Sequence, residues 1–288
     1  MPVKLPTLFR SKEVRASYAS ALLYSMPRWG KTNAIRTLLD HGFHPGILAT
    51  DQGDSRGLQT ISDIDVPVIP IDTWDEALAV FAELGRKRTH VEYQGERIDV
   101  LVNDSLSGFG SIWMDRGLEA LGWDEVGVAH PGHDPRRIYS YIPEKGRQTT
   151  KALQNLPCHL ILLARETVIE EGEGPNKVSW LVPEMPGAKL PRELPGWLDA
   201  VLFGKILNGD RVMMTQAEGK LVAGIRAPAN RQFPKYCRPD YGLLIKAMMG
   251  DDDALRELAF VKPPISKPAA PLAKSSTSTV AQPQKATA

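Results

Sequence analysis

Ser25-Met26-Pro27-Arg28-Trp29-Gly30-Lys31-Thr32 follows the apolar run Ala19 to Tyr24 and opens the helical pattern Lys31 to Asp40. It meets the phosphate-loop pattern G-x-x-x-x-G-K-[ST], known as Walker A, except at the first position, where Ser25 stands for glycine. The spacing has a physical reason. A tight loop between a strand and a helix turns backbone N–H groups inward, and the helix start adds its positive end to an anion site. Ser25, Pro27, Arg28, Trp29, Gly30, Lys31 and Thr32 are therefore the candidate nucleotide-binding residues. Gly30 leaves no side chain to obstruct phosphates, Lys31 reaches the β/γ oxygens, and Thr32 offers a hydroxyl to magnesium. Trp29 would either stack on a base or shield the loop. The cofactors expected are ATP and Mg2+.

Working outward, Ile98 to Asn103 is a largely apolar strand that ends at Asp104. A buried strand delivering a carboxylate is the Walker B layout, in which Asp104 would hold the magnesium together with Thr32. The alternative is a helix N-cap, since Asp104-Ser105 precedes a helical stretch with Ile112, Trp113, Leu118 and Leu121 inward. Further strands are expected at Pro45–Asp51, at Val66–Ile71 as an edge carrying two prolines, and at Cys158–Ala164. Thr73-Trp74-Asp75-Glu76 has capping-box spacing before Ala77, Leu78, Phe81 and Leu84. Gly42 suits a helix C-terminus. Residues 122–147 read as irregular and Thr149 to Leu156 as a helix. Two hairpins are expected downstream, around Glu171–Asn176 and Ala217–Gly219, then a final helix within Tyr241–Phe260. Short apolar strands alternating with helices define an α/β fold with a mostly parallel sheet flanked by helices, plus C-terminal hairpins.

Composition narrows the possibilities. In 288 residues, 42% apolar and 24% charged, there is enough material for a sizeable core. Purely apolar runs such as Leu160 to Ala164 are far below the ~20 residues of a membrane span, and the first residues lack a secretory apolar region. Two cysteines, Cys158 and Cys237, cannot make a disulfide framework or a four-cysteine zinc site. A cytoplasmic location without a membrane partner is expected. The net charge of +1 conceals an asymmetry: residues 262–288 carry Lys262, Lys267, Lys274 and Lys285 and no acid, leaving 31 basic and 34 acidic residues in the remainder. Five prolines and the run Ser275 to Thr279 mark this tail as disordered, either inert or an arm for a protein partner. Three regions result: residues 1–18, a nucleotide-binding domain over 19–261, and the tail over 262–288.

From about Ala19 to Pro234 these landmarks resemble the phage-encoded RecA-like nucleotide-binding proteins, an AAA-type family that includes single-strand annealing recombinases. The supporting features are the phosphate loop, Gly46–Asp51 with Gln52-Gly53, Asn103-Asp104-Ser105 and Leu160–Ala164. Pro183 to Asp199 and a hairpin over Arg211–Arg226 complete the series. The resemblance implies a RecA-like P-loop core, an expected ATPase, that binds ATP, often at the interface of a homo-oligomer, and acts on single-stranded DNA in recombination or annealing. For a phage-encoded protein the compartment would be the host cytoplasm. In that family an acid after the second strand positions the attacking water. Asp51 is the match here, shorter than the usual glutamate, with Asp54 its neighbour; the alternative is a turn carboxylate. Arg165, with Glu166, stands where relatives place a γ-phosphate sensor, a role suited to a fixed guanidinium. The alternative for Arg165 is a surface ion pair. Arg226 resembles the basic residue that reaches a neighbouring subunit's nucleotide, although Gly224 replaces the usual companion lysine.

Residues 130–151 concentrate Arg136, Arg137, Lys145, Arg147 and Lys151, with Tyr139 and Tyr141 between them. Cations for phosphates and aromatic faces for bases are what single-stranded nucleic acid needs. The alternative is a solvated loop with inward tyrosines. Glu166, Glu170, Glu171 and Glu173 make the following loop a poor DNA surface, and also unlike a kinase lid. His130 and His133 have no Cys pair or further His nearby, which favours a loop with two exposed imidazoles over a metal site. A second functional reading is a nucleotide-dependent interaction module with little turnover that recruits partners through its tail.

Overall fold

The structure, a computed structural model, describes residues 18–50, 56–123, 134, 136–174, 177–227 and 231–260. Asp51, Asp54, His130, His133, residues 1–17 and the tail lie outside the described residues. The strands are β1 (Ser20–Ser25), β2 (Pro45–Ala49), β3 (Val68–Pro70), β4 (Val91–Tyr93), β5 (Glu96–Ile98), β6 (Val100–Asp104), β7 (His159–Glu171) and β8 (Val178–Pro183). Four more follow: β9 (Ala200–Leu207), β10 (Asp210–Met214), β11 (Gly224–Ile225) and β12 (Tyr236–Cys237). The helices are α1 (Arg36–Asp40), α2 (Arg56–Gln59), α3 (Trp74–Leu84), α4 (Leu106–Leu121), α5 (Arg136–Gln154), α6 (Leu190–Glu193), α7 (Tyr241–Met249) and α8 (Asp252–Leu258).

The main sheet runs β12-β10-β9-β1-β7-β6-β2-β3, with β11 attached to β9 and β8 to β7. From β9 to β3 every pairing is parallel. The additions at β10, β11, β12 and β8 are antiparallel. The fold is therefore α/β, a mostly parallel sheet flanked by helices. Its central strands are apolar on both faces because both faces are covered. Leu22, Leu101, Leu160 and Leu162 pack with α3, α4 and α5 through Trp74, Phe109, Trp113, Ile138 and Ile142. Leu23, Val100, Val102, Ile161 and Leu163 pack on the other face with Leu38, Tyr241, Leu244 and Leu258 of α1, α7 and α8. Because β1, β2, β6 and β7 run parallel, their carboxyl ends gather at one edge, where open α/β sheets place ligands.

Several local expectations are met in detail. Thr73 Oγ1 accepts the Glu76 N–H at 3.2 Å, and Glu76 Oε2 accepts the Thr73 N–H at 3.1 Å, closing the capping box. β3 is an edge, as its prolines require. The β7–β8 hairpin forms with Glu171 opposite Val178.

Others are corrected. Residues from Arg136 onward are not irregular but form the 19-residue helix α5, because Ile138, Ile142 and Leu153 bury one stripe against the core. The strand expected from Ile98 is split at Asp99. Ile98 belongs instead to a β4–β5 hairpin turning at Gln94-Gly95, both with positive φ. The later hairpin is β9–β10, turning at Asn208-Gly209 (φ 54° and 90°), whereas β11 pairs with β9. The last helix is two, α7 and α8, separated after Gly250.

Candidate functional site

The phosphate loop starts at Ser25, the last residue of β1, which pairs with Arg165 on β7 and Gly204 on β9. Strand backbone at this position needs no glycine, so serine substitutes without adopting a left-handed conformation. The room comes from the neighbouring strand. A β-carbon on Gly204 would stand 2.7 Å from the Ser25 β-carbon and 2.8 Å from the Trp29 ring. The loop's two left-handed residues are Arg28 (φ 65°) and Gly30 (φ 103°). At Gly30 the positive φ is the reason for glycine, and the direction a side chain would take leads to Arg211.

Lys31 folds back into the loop. Its ammonium donates to Ser25 O (3.2 Å), Ser25 Oγ (3.0 Å) and Met26 O (3.3 Å). The chain then passes through a 3₁₀ turn at Asn33–Ile35 before α1, so the long helix expected from Lys31 is not formed. Any anion here meets loop N–H groups and Lys31 more than a helix macrodipole. The Thr32 hydroxyl donates to Asp104 Oδ2 at 2.6 Å. Asp104 is not the cap of α4. Ser105 is, its Oγ accepting the Gly108 N–H at 3.1 Å, which leaves the Asp104 carboxylate facing the loop. The Asp104–Ser105 peptide is cis.

Trp29 does not face a ligand. Its side chain is buried with the α1/α7 core, and Nε1 donates to Lys205 O at 3.0 Å. It anchors the loop to β9 instead of stacking on a base. Tyr241, which no local sequence signal marks, donates its hydroxyl to Lys31 O at 2.9 Å and so fixes the loop from α7. Burial, reinforced by the charge of Asp104, pushes its phenol well above the usual range, so it remains a donor. Glu166 follows Arg165, the last residue of β7 paired with β1, and is itself opposite Pro183 of β8. Burial raises its carboxyl, while the Lys31 charge and a hydrogen bond from the Met26 backbone oppose that rise.

Pro27, Arg28, Lys31, Thr32, Ala49, Asp104, Ser105 and Arg165 line a cleft of about 690 Å³ along the carboxyl edge, closed on its far side by Val68, Pro70 and Asp72. The donor set suits a magnesium-bound polyphosphate: cations and loop N–H groups for phosphate, a hydroxyl and a carboxylate for the metal. Arg165 reaches this cleft while ion-paired with Glu184, and its N–H donates to Ser107 Oγ at 3.0 Å. Arg226 stands apart. Its guanidinium donates to Gly196 O, and it lines a separate groove with Pro195, Leu198 and Ile225.

The basic segment is rearranged by becoming a helix. Residues two apart on a helix lie about 200° apart, so Tyr139 and Tyr141 cannot share a face. Tyr139 is exposed near Gly187, whereas Tyr141 is half-buried against Gly117. Lys145 lies over the rings of Trp74 (4.8 Å) and Tyr141 (5.1 Å). Arg147 pairs with Glu144 at 2.6 Å and Glu193 at 3.4 Å, and lies over Trp197. Arg137 and Lys151 are exposed, and Arg136 opens the helix. Among the described residues no group of three or more His, Cys, Asp or Glu is placed to hold a metal ion. Cys158 and Cys237 are free and buried, which pushes both thiols up to about 12. No helix among the described residues is long and apolar enough to cross a membrane.

With a phosphate loop at the end of one parallel strand and an acid at the end of another, the architecture is that of a P-loop nucleotide-binding domain. The chain belongs to the AAA domain family, whose model matches residues 17–227. No curated protein matches it. Among solved structures, the RadB recombinase is similar at 13% identity, over 72% of this chain and 84% of its own, with a TM-score of 0.37.

Proposed function

We propose that this protein is an ATP- and magnesium-dependent P-loop ATPase that acts on single-stranded DNA in phage-type recombination or annealing. The observation that carries the ATPase reading is the junction of Thr32 and Asp104 at 2.6 Å beside the Lys31-filled loop. Two elements distant in sequence bring a hydroxyl, a carboxylate and an ammonium together at the carboxyl edge of the sheet. Lys31, Arg28 and the loop N–H groups would bind the phosphates, and Thr32 with Asp104 would hold magnesium. When bound, the metal supplies charge neutralisation to the phosphoryl group. Arg165 would meet the terminal phosphate by exchanging Glu184 for it, and Asp51 would orient water. Arg226, away from its own cleft, would serve a neighbouring copy in a homo-oligomer.

DNA is proposed to follow α5 through Arg136, Arg137 and Lys151, with Tyr139 at the margin. The intramolecular contacts of Lys145 and Arg147 limit the size of this surface. Those contacts also favour a second reading, a nucleotide-dependent interaction module with little turnover. ATP hydrolysis measured with and without single-stranded DNA separates the two: DNA-stimulated turnover supports the first, ATP binding without turnover the second. Anisotropy on a chain ending at Val261, with Arg136→Ala and Arg137→Ala combined, locates the DNA surface. Loss of binding together with a shallower salt dependence is expected. Unchanged binding removes α5 from the site.

A further inference from the structure

Arg211 lies on β10, opposite Ile206 of β9, and its side chain reaches back across the edge of the sheet to the phosphate loop. A β-carbon built on Gly30 would stand 3.5 Å from Arg211 Nε, 3.6 Å from Cδ and 3.7 Å from Cζ. The guanidinium therefore rests against the residue that precedes Lys31. Its base is rigid: β10 pairs with β9 along its whole length, and β9 holds the loop through Trp29 and Lys205 O.

Most arginines described here are spent on carboxylates, as Arg36 is on Asp63, Arg165 on Glu184 and Arg231 on Asp252. Arg211 has no carboxylate or carbonyl partner among the described residues, and neither has Arg28 on the cleft side of the same loop. Two guanidiniums and the Lys31 ammonium thus surround one loop. Like charges so arranged repel one another, and a polyanion relieves that repulsion.

We propose that Arg211 is a specificity-determining residue of the nucleotide site, adding from β10 a positive charge beside the loop that favours the more highly charged nucleotide. This rests on the proposed reading of the loop as an ATP site. An exposed guanidinium beside the loop, engaged by no carboxylate among the described residues, is available to a phosphate, and its planar fork can share one phosphate with the loop N–H groups. It acts in the chain that carries it, unlike the role proposed for Arg226.

Calorimetric titration with ATP, ADP and AMP tests the proposal on the full chain, comparing wild type with Arg211→Met, Arg211→Lys and Lys31→Ala. Arg211→Met keeps the length of the side chain and removes the charge. ATP affinity should fall about tenfold, ADP affinity less and AMP affinity least, with a weaker salt dependence of ATP binding. Arg211→Lys should recover most of the loss. Equal affinity of Arg211→Met and wild type for ATP overturns the proposal. So does an equal loss for all three nucleotides that lysine does not repair, which would make Arg211 a brace for the loop. Failure of the underlying reading looks different: wild type itself would not bind ATP, or Lys31→Ala would bind it unchanged.

Discussion

At the scale of single residues, the proposed site rests on Lys31 and on the pair of Thr32 with Asp104, whose parts are separable. Lys31 is held by three oxygens of its own loop, so its ammonium is already placed where an anion would meet it. Lys31→Ala should weaken ATP binding by at least about tenfold, the ordinary worth of a charge-assisted contact. Calorimetry on the folded variant checks this, and equal affinity would sink the assignment. Asp104 has a different role, since its carboxylate takes the Thr32 hydroxyl and leaves the capping of α4 to Ser105. Asp104→Asn preserves shape and an acceptor oxygen but removes charge. Turnover should drop far more than nucleotide affinity, and steady-state hydrolysis beside binding on the same sample would show it. Unchanged turnover would return Asp104 to a structural part.

At the scale of elements, the loop is shaped by its neighbours as much as by its own sequence. Trp29 is clamped to β9, and Tyr241 of α7 holds the Lys31 carbonyl. Gly204 leaves space that both Ser25 and the indole need. Gly204→Ala should therefore be costly although alanine is only one methyl larger. With contacts of 2.7 and 2.8 Å, overpacking of about 1–3 kcal/mol is expected, with displacement of the loop. Thermal denaturation should show the loss, and ATP affinity should fall with it. A variant as stable as wild type would mean that β9 can retreat. Packing between elements also explains why residues 136–147 are helical where their sequence reads as irregular. Arg, Tyr, Gly and Pro in that stretch mask a helical stripe, and Pro143 lies inside the helix, so local propensity argued against what tertiary burial of Ile138 and Ile142 imposes.

At the scale of the whole molecule, the start of the described chain is tied to the sheet through His159. The ring sits edge-on between Tyr18 and Phe43, and Nδ1 accepts the Ala19 N–H at 3.0 Å. Burial lowers its pKa below the ordinary 6.5, partly opposed by Asp99. The unfolded chain therefore takes up this proton before the folded one does. The contribution is complete above about pH 6.5 and is lost as pH falls from there through the lowered folded value. Melting curves at pH 7.5 and 5.5 should show a larger fall for wild type than for His159→Gln, which keeps an acceptor and cannot titrate. Parallel falls would assign the acid sensitivity to other groups.

Features that depend on neighbours along the chain are legible in the amino-acid order alone. Apolar runs at Ala19–Tyr24 and Leu160–Ala164, the turn residues of the phosphate loop, the strand carrying Asp104 and the capping box at Thr73 all follow from periodicity and local hydrogen bonding. What stands across the sheet came from folding in three dimensions, and it decided four contacts: Gly204 accommodating Ser25, Trp29 turned into the core, Tyr241 on the Lys31 carbonyl, and Arg211 beside Gly30. It also decided that Lys145 lies over the Trp74 ring of α3 and that Arg147 pairs with Glu193 of α6. The reason is one of range. A residue's backbone preference acts over a few positions, whereas the partner that its side chain meets is chosen by strand order and helix packing, which bring together residues more than a hundred positions apart.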